Sequence, residues 1–158
     1  MQRYTWIYSL SQPTTAEQTA YLKQSFGEFL GKWNSHGTPV AGEITLAYQR
    51  FVIIQANPGE DRPSGCSIDG LKRTVEGILQ QKGLTWVEAS QVFFKDPEEQ
   101  IQSIDFRALP TFIQQGKLKS ETKVFDHTLN QSDDLSKWEV PLKETWMKRF
   151  LPKASLES

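Results

Sequence analysis

"EITLAYQRFVII", residues 43 to 54, carries the pattern on which the fold turns. Ile44, Leu46 and Tyr48 fall on alternate positions, so the first half reads as a strand with one covered face. Phe51-Val52-Ile53-Ile54 is an unbroken apolar run and reads as a more deeply buried strand. The two lie close enough for an antiparallel hairpin turning near Gln49-Arg50, although the favoured Asn-Gly turn chemistry is absent. The alternative is one long bent strand.

Upstream, Tyr4, Trp6 and Tyr8 alternate with Thr5 and Ile7, which predicts a strand over residues 3 to 10. Thr14 and Glu17 then have capping-box spacing. Leu22, Phe26, Phe29, Leu30 and Trp33 form one stripe at helical period, and Gly37 and Pro39 stop the helix. Downstream, residues 57 to 63 read as a loop. Ile68, Leu71, Val75, Ile78 and Leu79 predict a second helix from Ser67 to Gln81, with Gly83 as its stop. Thr85-Trp86-Val87 and Gln91-Val92-Phe93-Phe94 close the series as strand. The order is β-α-β-β-α-β, which predicts an α+β, ferredoxin-like antiparallel sheet with both helices on one face.

The last third is less regular. Asp105 is placed to cap a helix from Phe106 to Gln115, stopped by Gly116, with Pro110 late in its first turn. Thr122 to Phe125 reads as a short strand. Leu142 to Phe150 reads as a final short helix with Trp146 and Phe150 facing inward. The expectation is a single domain over 1–152. Residues 1–96 form its core, 97–152 an extension packed on that core, and 153–158 a frayed tail.

Composition narrows the function. The chain has 158 residues, a formal net charge of -1 and 11% aromatics. Such a balance supplies no basic field for nucleic acid or anionic lipid. No apolar run reaches the ~20 residues of a membrane span. One cysteine makes no internal disulfide, which suits a reducing cytoplasm. These features predict a soluble cytoplasmic protein with no nucleic-acid or membrane partner. Its partner would be a small molecule or a protein, and an open sheet edge is compatible with a homodimer.

Cys66, in Pro63-Ser64-Gly65-Cys66-Ser67-Ile68-Asp69, stands where the loop hands over to the second helix. A thiol there feels the partial positive charge of unpaired N–H groups, which lowers its pKa and makes a nucleophile. Small residues at Ser64, Gly65 and Ser67 would also let backbone N–H groups approach an anion, with Asp69 in the same turn. The plainer reading has Cys66 packing as a small apolar residue while a serine caps the helix. His36 is the natural catalytic partner by chemistry, but the ends of the two helices are expected to lie apart. His127 is a second candidate. His36, Cys66 and His127 show no metal-ligand spacing, so no metal or cofactor is expected.

Two nucleotide and redox classes fail on residues. Gly27-Glu-Phe-Leu-Gly31-Lys32-Trp33 has a three-residue spacer where a P-loop needs four, and Trp33 stands where Ser or Thr must hold Mg²⁺. A Walker-type ATPase is excluded. Leu109-Pro110-Thr111-Phe112-Ile113 resembles the cis-proline segment of thioredoxins and Cys66 would be the redox cysteine. Asp69 occupies the position of the second one, so only a one-cysteine, thioredoxin-like α/β alternative is left.

Four stretches together resemble a small bacterial family of uncharacterised proteins that carry the label "ABC transporter ATPase". They are Trp33-x-x-His36-Gly37-x-Pro39, Ser64 to Asp69, Thr122 to Phe125, and the closing Trp138 to Phe150. The resemblance spans nearly the whole chain. Thr145-Trp146 departs from the family's usual Ser-Trp, and Asp126 from its usual Asn. The resemblance implies a cytoplasmic single domain and makes His36, Cys66 and Asp69 part of a shared pattern. It transfers no activity, and the label conflicts with the missing Walker motif. The sequence therefore favours a non-enzymatic binding or regulatory module with a site at residues 57–69. A thiol-dependent enzyme using Cys66 with His36 is the alternative.

Overall fold

The computed structural model describes residues 4–35, 38–57, 65–87, 91–125, 135 and 138–152. The fold is mixed α+β, with two main antiparallel sheets and three α-helices. The described residues gather into two compact units, one up to Val87 and one after it.

The first unit opens with β1 (Tyr4–Ser9), followed by α1 (Ala16–Lys32). The cap of α1 lies one residue later than Thr14. The Thr15 hydroxyl accepts from the Gln18 amide at 3.1 Å, and the Gln18 side chain accepts from the Thr15 amide at 2.9 Å. Thr14 is buried instead, with its hydroxyl 2.7 Å from that of Thr19. A two-residue ladder, β2 (Asn34–Ser35) with β3 (Thr38–Pro39), leads to the hairpin β4 (Ala41–Ala47) and β5 (Phe51–Asn57). The hairpin turns at Tyr48–Gln49, where Ala47 pairs Phe51. β1 lies along the other edge of β5, so the order is β1-β5-β4. Trp6, Ile54 and Ile44 form one cross-strand row and Tyr8, Val52 and Leu46 the next. Phe51 to Ile54 are all at most 2% exposed, as their unbroken apolar run requires.

The rows pack against the helices. Leu22, Phe26 and Leu30 of α1, with Trp33 at its end, join Leu71, Val75 and Leu79 of α2 (Gly65–Gln80) in one core. Gly42 is where α1 comes closest to β4. A methyl group there would stand 2.9 Å from the Leu30 side chain, closer than carbon atoms pack. Gly83 ends the α2 region with φ of 69°, which a glycine adopts freely, and the Leu84 amide donates back to the Leu79 carbonyl. Arg50 is buried beneath the hairpin and donates through Nε to the Leu10 carbonyl at 3.1 Å. Burial lowers its pKa.

The fourth strand expected beside β1 is cut short. Leu10 bridges Trp86, the Ser11 amide donates to the Thr85 carbonyl, and the Val87 amide donates to the Ser9 carbonyl. Residues 91 to 94 do not continue it. They form β6 (Gln91–Lys95) in the other sheet, between β7 (Ile101–Asp105) and β8 (Lys123–Phe125), with β9 (Glu139–Pro141) outermost. An apolar alternation fixes that a segment is a strand but not which sheet takes it. All pairings in both main sheets are antiparallel among the described residues. The thioredoxin-like alternative needs parallel strands and is corrected accordingly.

The second unit has one short helix. The Asp105 carboxylate accepts from the Arg107 amide at 2.9 Å and caps a 3₁₀ turn, Phe106–Ala108, not a long helix. The α-helix α3 follows as Leu109–Gln114, which puts Pro110 at its second position. There the missing N–H is one of the donors a helix start leaves unpaired anyway. The chain after β9 is two 3₁₀ turns, Leu142–Glu144 and Trp146–Phe150, divided by Thr145, whose hydroxyl accepts from the Met147 amide. This shift of period turns Trp146 outward against expectation, whereas Phe150 is half-buried against the second core as expected. Leu142, Met147 and Leu151 are buried, and Trp146 is 41% exposed. They join Val92, Phe94, Leu109, Leu118 and Val124 in a second core.

Candidate functional site

The residues singled out in the sequence lie mostly beyond description. Ser64, His36 and His127 are outside the described residues. The backbone of Gly65, Cys66, Ser67 and Asp69 forms the start of α2, which opens two residues earlier than the expected Ser67. Their side chains are outside the described residues, so neither the Cys66–His36 pair nor the anion site at 57–69 is brought together or separated. Among the described residues, no group of three His, Cys, Asp or Glu side chains is arranged to hold a metal ion. No helix among them is long and apolar enough to cross a membrane.

The described chain does form a cleft, and it lies wholly in the second unit. Its volume is about 900 Å³. Phe94 of β6 and Ile104 of β7 supply an apolar floor, and Phe112 of α3 stands over it as a wall. The Phe94 and Phe112 rings meet edge to face with centroids 6.4 Å apart. The cleft exists because α3 stops early. Six residues of helix span roughly 9 Å, whereas four strands span roughly 14 Å across, so part of the sheet face stays uncovered.

The stop itself places the rim. Gly116 adopts a φ of 74°, and the Lys117 and Leu118 amides both donate back to the Phe112 carbonyl, at 2.9 and 3.2 Å. Leu118 is thereby buried in the second core while Lys117 turns outward, its ammonium 5.0 Å from the centre of the Phe112 ring. The Lys119 amide donates to the Thr122 hydroxyl and the Thr122 amide to the Lys119 carbonyl. This closed turn sets Lys119 and Lys123 on the same rim.

The charges on the rim are unequal in their commitments. Lys95 is paired with Glu139, and Glu121 with Lys143, each at 2.5 Å. That contact with Glu121 raises the Lys143 pKa. The Asp96 carboxylate accepts from the Gln100 and Glu98 amides and from the Gln102 side chain, which hold its pKa below the usual range. Lys117, Lys119 and Lys123 have no ion pair among the described residues. Three lysines without an ion pair among the described residues, two engaged carboxylates and an apolar floor are means of holding a ligand.

The sequence reading passed over this site. Its only local signal is the spacing of Lys117, Lys119 and Lys123 behind Gly116, which looks like any solvated surface. The apolar half comes from β6 and β7, read as the edge of a different sheet or as extension. No protein-family model, curated protein or solved structure matches the chain.

Proposed function

We propose that the chain is a non-enzymatic ligand-binding module and that the cleft of the second unit is its ligand site. One observation carries the reading: the half-buried Ile104 and Phe112, with an edge of the buried Phe94, line an open cleft at the end of a helix too short to cover it. A protein without a use for that surface would gain about 25 cal/mol for each Å² of it covered. On this reading the first unit is a frame of ferredoxin-like β-α-β-β-α-β design, with its fourth strand reduced to Thr85–Val87.

The test uses the full chain and N-phenyl-1-naphthylamine, a neutral apolar dye that brightens in dry surroundings. Gln102 is exposed on β7, one cross-strand row from Ile104 and opposite Phe94. Gln102→Trp would fill the cleft without touching the core. The wild-type chain should bind the dye, and the substitution should weaken binding about tenfold, the effect of losing roughly 1.4 kcal/mol of contact. Equal binding by both chains would remove the cleft as the site.

A second reading keeps Cys66, because α2 begins at Gly65 and so puts this residue in a first helical turn. There the thiol-dependent alternative is decided by the rate of Cys66 alkylation against pH. A midpoint near the ordinary thiol value of about 8.5 rejects it, and one below about 7 supports it.

A further inference from the structure

Resting on the ligand-binding reading, we propose that the cleft selects small organic anions: a carboxylate or phosphate head held by Lys117, Lys119 and Lys123, with an apolar body laid over Phe94, Ile104 and Phe112. The floor alone would accept any apolar molecule. Selectivity comes from where the cations stand. The Lys117 ammonium is parked 5.0 Å above the Phe112 ring, so charge and apolar surface share one spot. A ligand that places an anion on Lys117 necessarily places its adjoining carbons on Phe112. The turn closed by Thr122 adds Lys119 and Lys123 to the residues that line the same cleft. Two of the three carboxylates that line the cleft are already engaged, and Glu99 is the third. Asp96 is saturated by three donors, and Glu121 is held by Lys143. An anion entering the cleft therefore meets cations that give up no ion pair in binding it, and such pairs strengthen as water leaves.

Two dyes with nearly the same apolar body separate the claims. 8-Anilinonaphthalene-1-sulfonate carries an anion and N-phenyl-1-naphthylamine does not. The anionic dye should bind the full chain about tenfold more tightly, with each exposed ammonium contributing a small part. The triple substitution Lys117→Gln, Lys119→Gln, Lys123→Gln should abolish the difference and leave the neutral dye unchanged. Raising salt from about 0.05 to about 0.5 M should weaken only the anionic dye, because exposed charges are screened. Competition then separates the two sources of anion: octanoate and octyl phosphate should displace the dye at lower concentration than octanol, and the tighter of the two names the head group. Equal binding of both dyes, indifferent to the triple substitution, overturns the anion claim and leaves the cleft as an apolar site. Failure of both dyes to bind overturns the ligand-binding reading itself. Loss of both dyes in the triple substitution, with an unchanged melting temperature, also overturns the selectivity claim.

Discussion

The first unit lays helices of 17 and 16 residues on a three-stranded sheet, and the second sets one of 6 residues on a sheet of four. Both bury a core of leucine, valine and aromatic side chains. They differ in what remains after burial. Long amphipathic stripes at helical period cover a sheet face from end to end, and Val52, Ile54 and Ala56 are fully buried beneath them. A helix opened by Pro110 and stopped by Gly116 covers only part of its sheet, and Phe94 and Ile104 line an open cleft. The lesson is that the cleft arises here from an incomplete layer, not from a loop added to a complete one.

The largest expected effect tests that contrast directly. Phe26 of α1 is fully buried, and Phe94 is 5% exposed at the cleft floor. Phe26→Ala would leave a hole closed on all sides and should cost about 3–5 kcal/mol. Phe94→Ala would leave a hole that opens on one side to the cleft, so the cavity term shrinks and the loss should be smaller, about 2–3 kcal/mol. Hydrogen exchange of the β5 and β6 amides under increasing urea would report each unit separately. Equal losses would mean that the second sheet is as well covered as the first.

Legibility followed the same divide. In the first unit the pattern of apolar residues sets nearly everything, because each element is long enough to show its period. The hairpin turn, both helical stripes and the burial of Phe51 to Ile54 could be read from residues 3 to 83 alone. The errors there are local, such as Thr15 capping α1 where Thr14 was expected. In the second unit the elements are too short for a period to declare itself. Three residues of β8 and five of the last 3₁₀ turn carry no stripe, and Trp146 was turned inward by analogy with an α-helix. Val92 and Phe94 are plainly strand residues, but partner choice is a tertiary decision that no alternation records. The cleft was missed for that reason: its walls come from segments whose neighbours the sequence does not name.

A middle-sized effect is confined to the first unit and to alkaline pH. Tyr8 stacks on Trp86 with ring centroids 4.6 Å apart and planes 5° apart. Burial, and secondarily the Glu76 charge, pushes its pKa up to about 12. The folded chain therefore favours the protonated phenol. Below pH ~10 both folded and unfolded states carry that proton, and the contribution is fully present. Between about pH 10 and 12 the unfolded chain ionises first and stability falls, by about 2 kcal/mol at most and less with partial exposure. Tyr8→Phe should flatten this part of a plot of urea midpoint against pH. A slope unchanged by the substitution would place the alkaline loss elsewhere, including in the second unit.

The smallest effect compares the two hairpins. In the first unit Tyr48 and Gln49 both have positive φ, 54° and 58°, and the Arg50 amide closes the turn on the Ala47 carbonyl at 3.0 Å. Tight hairpins favour this left-handed backbone because it matches strand twist, but side chains with a Cβ resist it by about 1–2 kcal/mol. In the second unit the turn is longer. Asp96 accepts from the Glu98 and Gln100 amides, and only Glu99 has a positive φ, 63°. Gln49 contributes to the fold through its carbonyl, which accepts from the Thr14 amide at 2.8 Å, and any residue keeps that bond. Gln49→Gly should therefore stabilise the first unit by about 1 kcal/mol after the extra freedom glycine gives the unfolded chain is subtracted. Glu99→Gly should stabilise the second by a similar amount, and because Glu99 lines the cleft it should also tighten the anionic dye while leaving the neutral one alone. Melting temperatures and dye titrations of the two variants separate strain from charge. A gain in stability without a gain in anion binding would confine Glu99 to the turn and move the field of the cleft onto its lysines alone.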